Sequence, residues 1–288
     1  MRVISQFVRG YLLAVQFFTR IPVTGRLADW VGYSPEMLRA SAGHFPGVGI
    51  LVGAVAAAIY ALFVAMLPDT SFTPLVAAVF STIATVLVTG GFHEDGLADV
   101  ADGLGGSYDR ARTLEIMKDS RVGAFGALAL VLGLLAKTSL LALLGVSTAP
   151  VVSGDEEPLL AAFTSFSAWH VCAGLLAGHV VSRALPLLLI VLLPHVGDPA
   201  TSRSKPLADQ IAPASLGIAI LWCFIALAGV LPALDAIDLI VACSFSVVTL
   251  LWMGLLFKRR LQGFTGDCLG AAQQACEIAF YLGLAVSL

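Results

Sequence analysis

Gly90-Gly91-Phe92-His93-Glu94-Asp95-Gly96-Leu97-Ala98-Asp99-Val100-Ala101-Asp102-Gly103 follows directly on a long apolar run and gathers four carboxylates and one histidine. Asp95, Asp99 and Asp102 stand at i, i+4 and i+7. On an α-helix these positions lie within about 60° of one another around the axis, so the three carboxylates share a stripe. Like charges so placed repel one another, and a hard cation relieves the repulsion. Mg²⁺ suits oxygen ligands with no thiolate nearby, and Mn²⁺ is the alternative. A run of charge is ordinarily a solvated face. Two features oppose that reading here. An apolar run of about one membrane thickness ends at this point, and Gly96, Ala98, Ala101 and Gly103 between the acids are small, which lets a ligand or a second helix come close.

Working outward, apolar residues make up 58% of the 288 and charged ones 12%, and the mean hydropathy is +0.93. Such a composition excludes an ordinary soluble globule. A net charge of −3 without a broad basic face argues against nucleic acid as a partner. Cys172, Cys223, Cys243, Cys268 and Cys276 lie in or beside apolar runs without a CxxC pair and read as small buried hydrophobes. Arg2, Arg9 and Arg20 interrupt the start of the chain, so no cleavable signal peptide is expected.

The pattern predicts an all-α, polytopic membrane bundle forming one domain over 1–288. Residues 4–23 mix aromatics and Leu with Arg9 and Arg20, as in a helix lying in the interface. Spans are expected at 44–67, 74–92, 123–145, 159–182, 211–234, 237–257 and 269–288, with 184–193 too short to cross and read as re-entrant or interfacial. Every Lys and Arg except Lys137 then falls on the side of the N-terminus, and the opposite loops carry only acids. The positive-inside rule makes that side cytoplasmic, together with the acidic stretch.

Three further constellations carry chemistry. Lys118 and Arg121, at i and i+3, are placed to face one anionic group, although juxtamembrane cations also simply orient a helix. Asp267 opens the last span after Thr265, where either residue can cap the helix. Gln273, Gln274 and Glu277 then enter an apolar helix. Ionisable groups inside a span are expensive and mark cavities or sites, which applies to Glu277 and more weakly to Lys137 and Arg183. His44, His170 and His179 read as packed or hydrogen-bonded. Acids for a metal and cations for phosphate on one face suggest phosphoryl or phosphodiester transfer near the membrane.

GGFHEDGLADVADGLGG, followed by EIMKDSRVGAFGALAL and later by GFTGDCLGAAQQ, resembles the adenosylcobinamide-GDP ribazoletransferase (cobalamin synthase) family, as do the earlier QFFTRIPV and HFPGVGILVG. The matching blocks run from about residue 11 to 280 in order. The resemblance implies a magnesium-dependent inner-membrane enzyme of bacteria. It would join adenosylcobinamide-GDP to α-ribazole or its 5′-phosphate and release GMP, in nucleotide-loop assembly of vitamin B12, with the ribazole 5′ oxygen attacking. Under it, Glu94, Asp95, Asp99 and Asp102 are the expected metal ligands, and His93 or a free Asp oxygen is the base. Lys118 and Arg121 would stabilise the charge growing on the bridging oxygen, and Asp267, Gln274 and Arg183 would contact substrate. The lipid bilayer is an expected partner, and a homo-oligomer or pathway complex is left open.

Two other classes compete. An alcohol phosphotransferase of phospholipid synthesis (the CDP-alcohol type) continues its Asp-Gly with x-x-Ala-Arg, whereas Asp95-Gly96 leads to Ala98-Asp99. A cation or solute transporter would carry its acids in mid-span, in paired halves, and the acids here collect at one edge.

Overall fold

A computed structural model describes residues 2–147, 166–197 and 211–288. Every regular element among them is helical. In chain order they are α1 (Arg2–Phe18), α2 (Gly25–Val31), α3 (Pro35–Ser41), a 3₁₀ turn (Ala42–His44), α4 (Phe45–Met66), α5 (Thr73–Thr89), α6 (Phe92–Gly106), α7 (Arg110–Ile116), α8 (Ala124–Ser147), α9 (Phe166–Ala184), α10 (Leu187–Leu192), α11 (Pro213–Val230), α12 (Ala236–Arg260) and α13 (Gly266–Ser287). Pro35, Pro46, Pro74 and Pro213 each lie in the first turn of their helices, where the missing N–H costs nothing.

Six helices among the described residues are long and apolar enough to cross a membrane, and α5 with α6 makes a seventh if the bent pair is one span. The protein is a polytopic membrane bundle. Outward-facing Leu132, Leu135, Ile220, Phe224, Val248 and Trp252 are all exposed, an apolar exterior that water would not tolerate over such an area. The N-terminal segment expected in the interface forms α1, which is not among the candidate spans. Residues 184–193, expected as re-entrant or interfacial, break at Pro186 and continue as α10 within a 25-residue apolar run, Ala168–Leu192. The acidic loop with Asp155, Glu156 and Glu157, the start of the 159–182 span, and Arg203 with Lys205 lie outside the described residues.

Where the 74–92 span was expected to end, the chain turns through 91° between α5 and α6. Gly90 and Gly91, at φ 72° and 71°, are both left-handed, a conformation only glycine adopts cheaply. Their N–H groups both return to the Val86 carbonyl. The double glycine therefore aims α6 across the end of the bundle instead of letting α5 run on.

Two apolar clusters make the core. One gathers Phe18, Phe45, Val48, Phe257, Phe264 and Cys276, and the other Tyr60, Leu141, Leu144, Phe280 and Tyr281. Glu277 stands on α13 between Cys276 of the first and Phe280 of the second, so the two clusters meet at a polar level.

Candidate active site

α6 is fixed at three points along its length. Near its start, Gly270 of α13 packs on the His93 backbone, and in its middle Gly96 lies so close to α13 that an added Cβ would come within 2.7 Å of the Asp267 carbonyl oxygen. At its end, Arg260 of α12 donates to the Leu104 and Ser107 carbonyls at 3.0 and 2.6 Å, satisfying orphan acceptors and complementing the helix dipole. Of the small residues noted in the sequence, Gly96 is where α6 touches α13, Ala98 faces Gly126 of α8, and Gly103 packs on Thr113 and Met117 at α7.

This packing brings Asp267, from the far end of the chain, onto the acidic stripe. Asp95, Asp102 and Asp267 all act electrostatically on Asp99, and Asp95 acts on Asp267. The Thr265 hydroxyl donates to Asp267 Oδ2 at 3.2 Å and also accepts from the Cys268 N–H as helix cap. Pro194–Val196 pairs with Phe264 through two backbone hydrogen bonds, which closes the floor beside Asp267. Asp95 is exposed, while Asp99 and Asp267 are half-buried.

Asp102, the last expected metal ligand, is engaged otherwise. Its carboxylate accepts from the Gly123 N–H at 2.7 Å and the Gly126 N–H at 2.8 Å, and the residue is 8% exposed. It caps the start of α8 from outside that helix. A side chain at either glycine would collide with the carboxylate, which explains the Val-Gly-Ala-Phe-Gly sequence there. Asp102→Ala would leave the buried Gly126 N–H and the more open Gly123 N–H without their acceptor and is expected to lower stability by about 2 kcal/mol. A fall in the thermal midpoint in detergent checks this.

His93 is 1% exposed, stacks on Phe45 at 5.6 Å, and neither ring nitrogen has a partner among the described residues. Its imidazole is shut inside the bundle, so the expected role as base at an incoming hydroxyl does not fit this position. Glu94 leans inward as well, and its Oε1 accepts from Gln274 Nε2 at 3.0 Å. Arg183 and Gln274, expected to touch substrate, are buried too. Arg183 donates to His179 Nδ1 at 2.9 Å and lies over the Phe45 ring, and Gln274 belongs to a polar line described below.

The two cations expected at a phosphate lie on the loop between α7 and α8, and both are exposed. The Arg121 guanidinium binds Asp119 at 2.6 and 3.0 Å, and these hydrogen bonds pull the Asp119 carboxyl down to about 2. An open cavity of about 580 Å³ lies against this loop and reaches the Asp102 end of α6, with Arg112, Glu115, Asp119 and Arg121 around it.

No three His, Cys, Asp or Glu side chains among the described residues converge as a ready-made metal cage. Mg²⁺ needs none, because it keeps several waters and takes one or two carboxylates plus substrate phosphates. Asp95, Asp99 and Asp267 on one partly open face fit that mode, and Asp102, spent on backbone, does not.

The family model for cobalamin-5-phosphate synthase (CobS) matches residues 10–285. A protein from a Polaromonas species (strain JS666), named adenosylcobinamide-GDP ribazoletransferase, is 74% identical, and the alignment covers all of both chains. Proteins of the same name from Polaromonas naphthalenivorans and Leptothrix cholodnii are 71% and 43% identical, covering 98% and 96% of this chain and 99% and 94% of theirs. No solved structure matches. With near-complete coverage by the family model and by these relatives, the chain belongs to the cobalamin-5-phosphate synthase family of adenosylcobinamide-GDP ribazoletransferases.

Proposed function

We propose that this chain joins adenosylcobinamide-GDP to α-ribazole or its 5′-phosphate on the face where α6 meets α13, releasing GMP. The observation that carries the reading is the meeting of Asp95, Asp99 and Asp267, drawn from distant parts of the sequence, at the edge of a membrane bundle. A Mg²⁺ ion held by these carboxylates would neutralise the pyrophosphate and the departing phosphate. A carboxylate oxygen left free on this face takes the proton of the attacking hydroxyl. The phosphorylated acceptor keeps its 5′-phosphate in the product, so the attacking oxygen is another ribose hydroxyl and not the 5′ oxygen first expected. Lys118 and Arg121, on the loop between α7 and α8, would bind the phosphates. The Arg121–Asp119 pair is exposed and screened by solvent, so it gives way readily to a phosphate.

Purified protein in detergent with lipid, given adenosylcobinamide-GDP and α-ribazole, is expected to form GMP and the cobalamin product with Mg²⁺ and neither with chelator. Absence of both products with lipid and Mg²⁺ present overturns the reading.

The same face lies on the cytoplasmic side of a bacterial inner membrane, a reading supported by the placement of Lys and Arg. Tyr108, 89% exposed at the end of α6, reports on it. In Tyr108→Cys, a membrane-impermeant maleimide is expected to label the new thiol in inverted vesicles and not in intact cells. Labelling in intact cells would reverse the orientation.

A further inference from the structure

A line of polar side chains crosses the bundle behind the acidic face and ends at the inward-turned Glu94 carboxylate, one residue before Asp95. Lys137 Nζ of α8 lies 2.6 Å from Glu277 Oε1 of α13, with the two side chains 2% and 1% exposed. Glu277 Oε2 accepts from Gln273 Nε2 at 2.7 Å, and the same amide nitrogen donates to Ser182 Oγ at 3.0 Å. Gln274 Nε2 then donates to Gln273 Oε1 and to Glu94 Oε1, both at 3.0 Å. Glu94 precedes Asp95.

Each link dictates the orientation of the next. A carboxylate only accepts, so Glu277 draws the NH₂ of Gln273 toward itself. That leaves the Gln273 carbonyl facing Gln274, whose NH₂ must answer it. The second hydrogen of this NH₂ then meets Glu94. Turning Gln274 over would set oxygen against oxygen twice, and turning Gln273 over would set oxygen against Glu277 and nitrogen against Gln274. Apolar residues would join α8 to α13 more cheaply than a buried ion pair, but they cannot orient an amide.

We propose that Lys137 and Glu277 are positioning residues for the transfer reaction, fixing the Glu94 carboxylate beside Asp95 through Gln273 and Gln274. The proposal rests on the acidic face being the reaction site. Gln274→Met cuts the last link with similar bulk. It is expected to lower kcat at least ~10-fold through misplacement at the site, with KM for both substrates within about twofold, while the acceptors left unpaired on Gln273 and Glu94 also lower the thermal midpoint. Lys137→Met/Glu277→Gln removes the charge that orders the line and is expected to lower kcat by the same factor. Links in series do not multiply, so the triple variant falls no further than Gln274→Met alone. Where the double variant fails to insert, Gln273→Met takes its place in the cycle. Mn²⁺ binding followed by electron paramagnetic resonance is expected to weaken by one common factor across these variants, and it reads the coupling without turnover. Wild-type protein that binds Mn²⁺ but makes no product overturns the proposed reaction and leaves this test standing. A Gln274→Met enzyme within twofold of wild type in both kcat and Mn²⁺ affinity, or losses that multiply, overturns the positioning role.

Discussion

Asp95→Asn is expected to lower kcat by about 10³-fold or more while the protein still inserts and keeps its thermal midpoint. The substitution removes one charge with almost no change of shape. Among the described residues the Asp95 carboxylate makes no hydrogen bond or ion pair that would be lost, and its backbone N–H stays on the Gly91 carbonyl at 2.8 Å. Relief of repulsion from Asp99 and Asp267 even favours the folded variant slightly. The loss falls on the charge that would balance a cation and pyrophosphate in the transition state, where several kcal/mol are at stake; about 4 kcal/mol corresponds to 10³-fold. Asp102→Ala should behave oppositely, with its main cost in stability, because that carboxylate serves α8. Measuring kcat and thermal midpoint for both variants separates the two roles. An Asp95→Asn enzyme with normal turnover removes Asp95 from the site.

The contrast between these neighbours marks what sequence can disclose. The i, i+4, i+7 spacing correctly predicts a shared helical stripe, because helical geometry is local. It cannot say that the far end of the stripe sits under Gly123 and Gly126, since nothing in an aspartate distinguishes a cap in trans from a ligand. The spans were legible for the same local reason, each being a long apolar run bounded by Pro, Gly or charge. The 91° turn was also written in Gly90-Gly91, though that pair was read only as the start of the acidic stretch. Glu277, Lys137 and Arg183 stood out singly as ionisable residues in apolar helices. Their common location was not legible, because Lys137 and Glu277 are far apart in the chain and meet only through the packing of α8 on α13. His179, isolated in its apolar run, reads in sequence as packed or hydrogen-bonded. It is hydrogen-bonded, as expected, but to Arg183, with Glu277 3.4 Å away. Both Lys137 and Glu277 fall near the middle of their helices, and this matching depth was the available clue.

That pair gives the largest expected effect on stability. Lys137→Met leaves Glu277 at the polar level between the two core clusters without the ammonium group that lies against its carboxylate. Gln273 and the Tyr281 hydroxyl, at 2.7 and 3.1 Å, still donate to it, but neither carries charge, and Arg183 is turned toward His179. Breaking a buried pair from one side costs about 3–5 kcal/mol, a large part of the margin of a typical fold. The bilayer offers the exposed charge no water, which makes its alternatives worse. Lys137→Met is therefore expected to insert poorly or to melt well below wild type in detergent. Lys137→Met/Glu277→Gln should recover most of that loss, because the uncharged amide can turn its oxygen to Gln273 and its NH₂ to the Tyr281 hydroxyl, or turn over, with no charge to compensate. Recovery of stability by the double variant without recovery of kcat is the pattern expected of a pair whose charges orient the line to Glu94. A single variant that melts like wild type would mean that the Glu277 charge is balanced from elsewhere, with Arg183 as the cation within the same cluster able to do it.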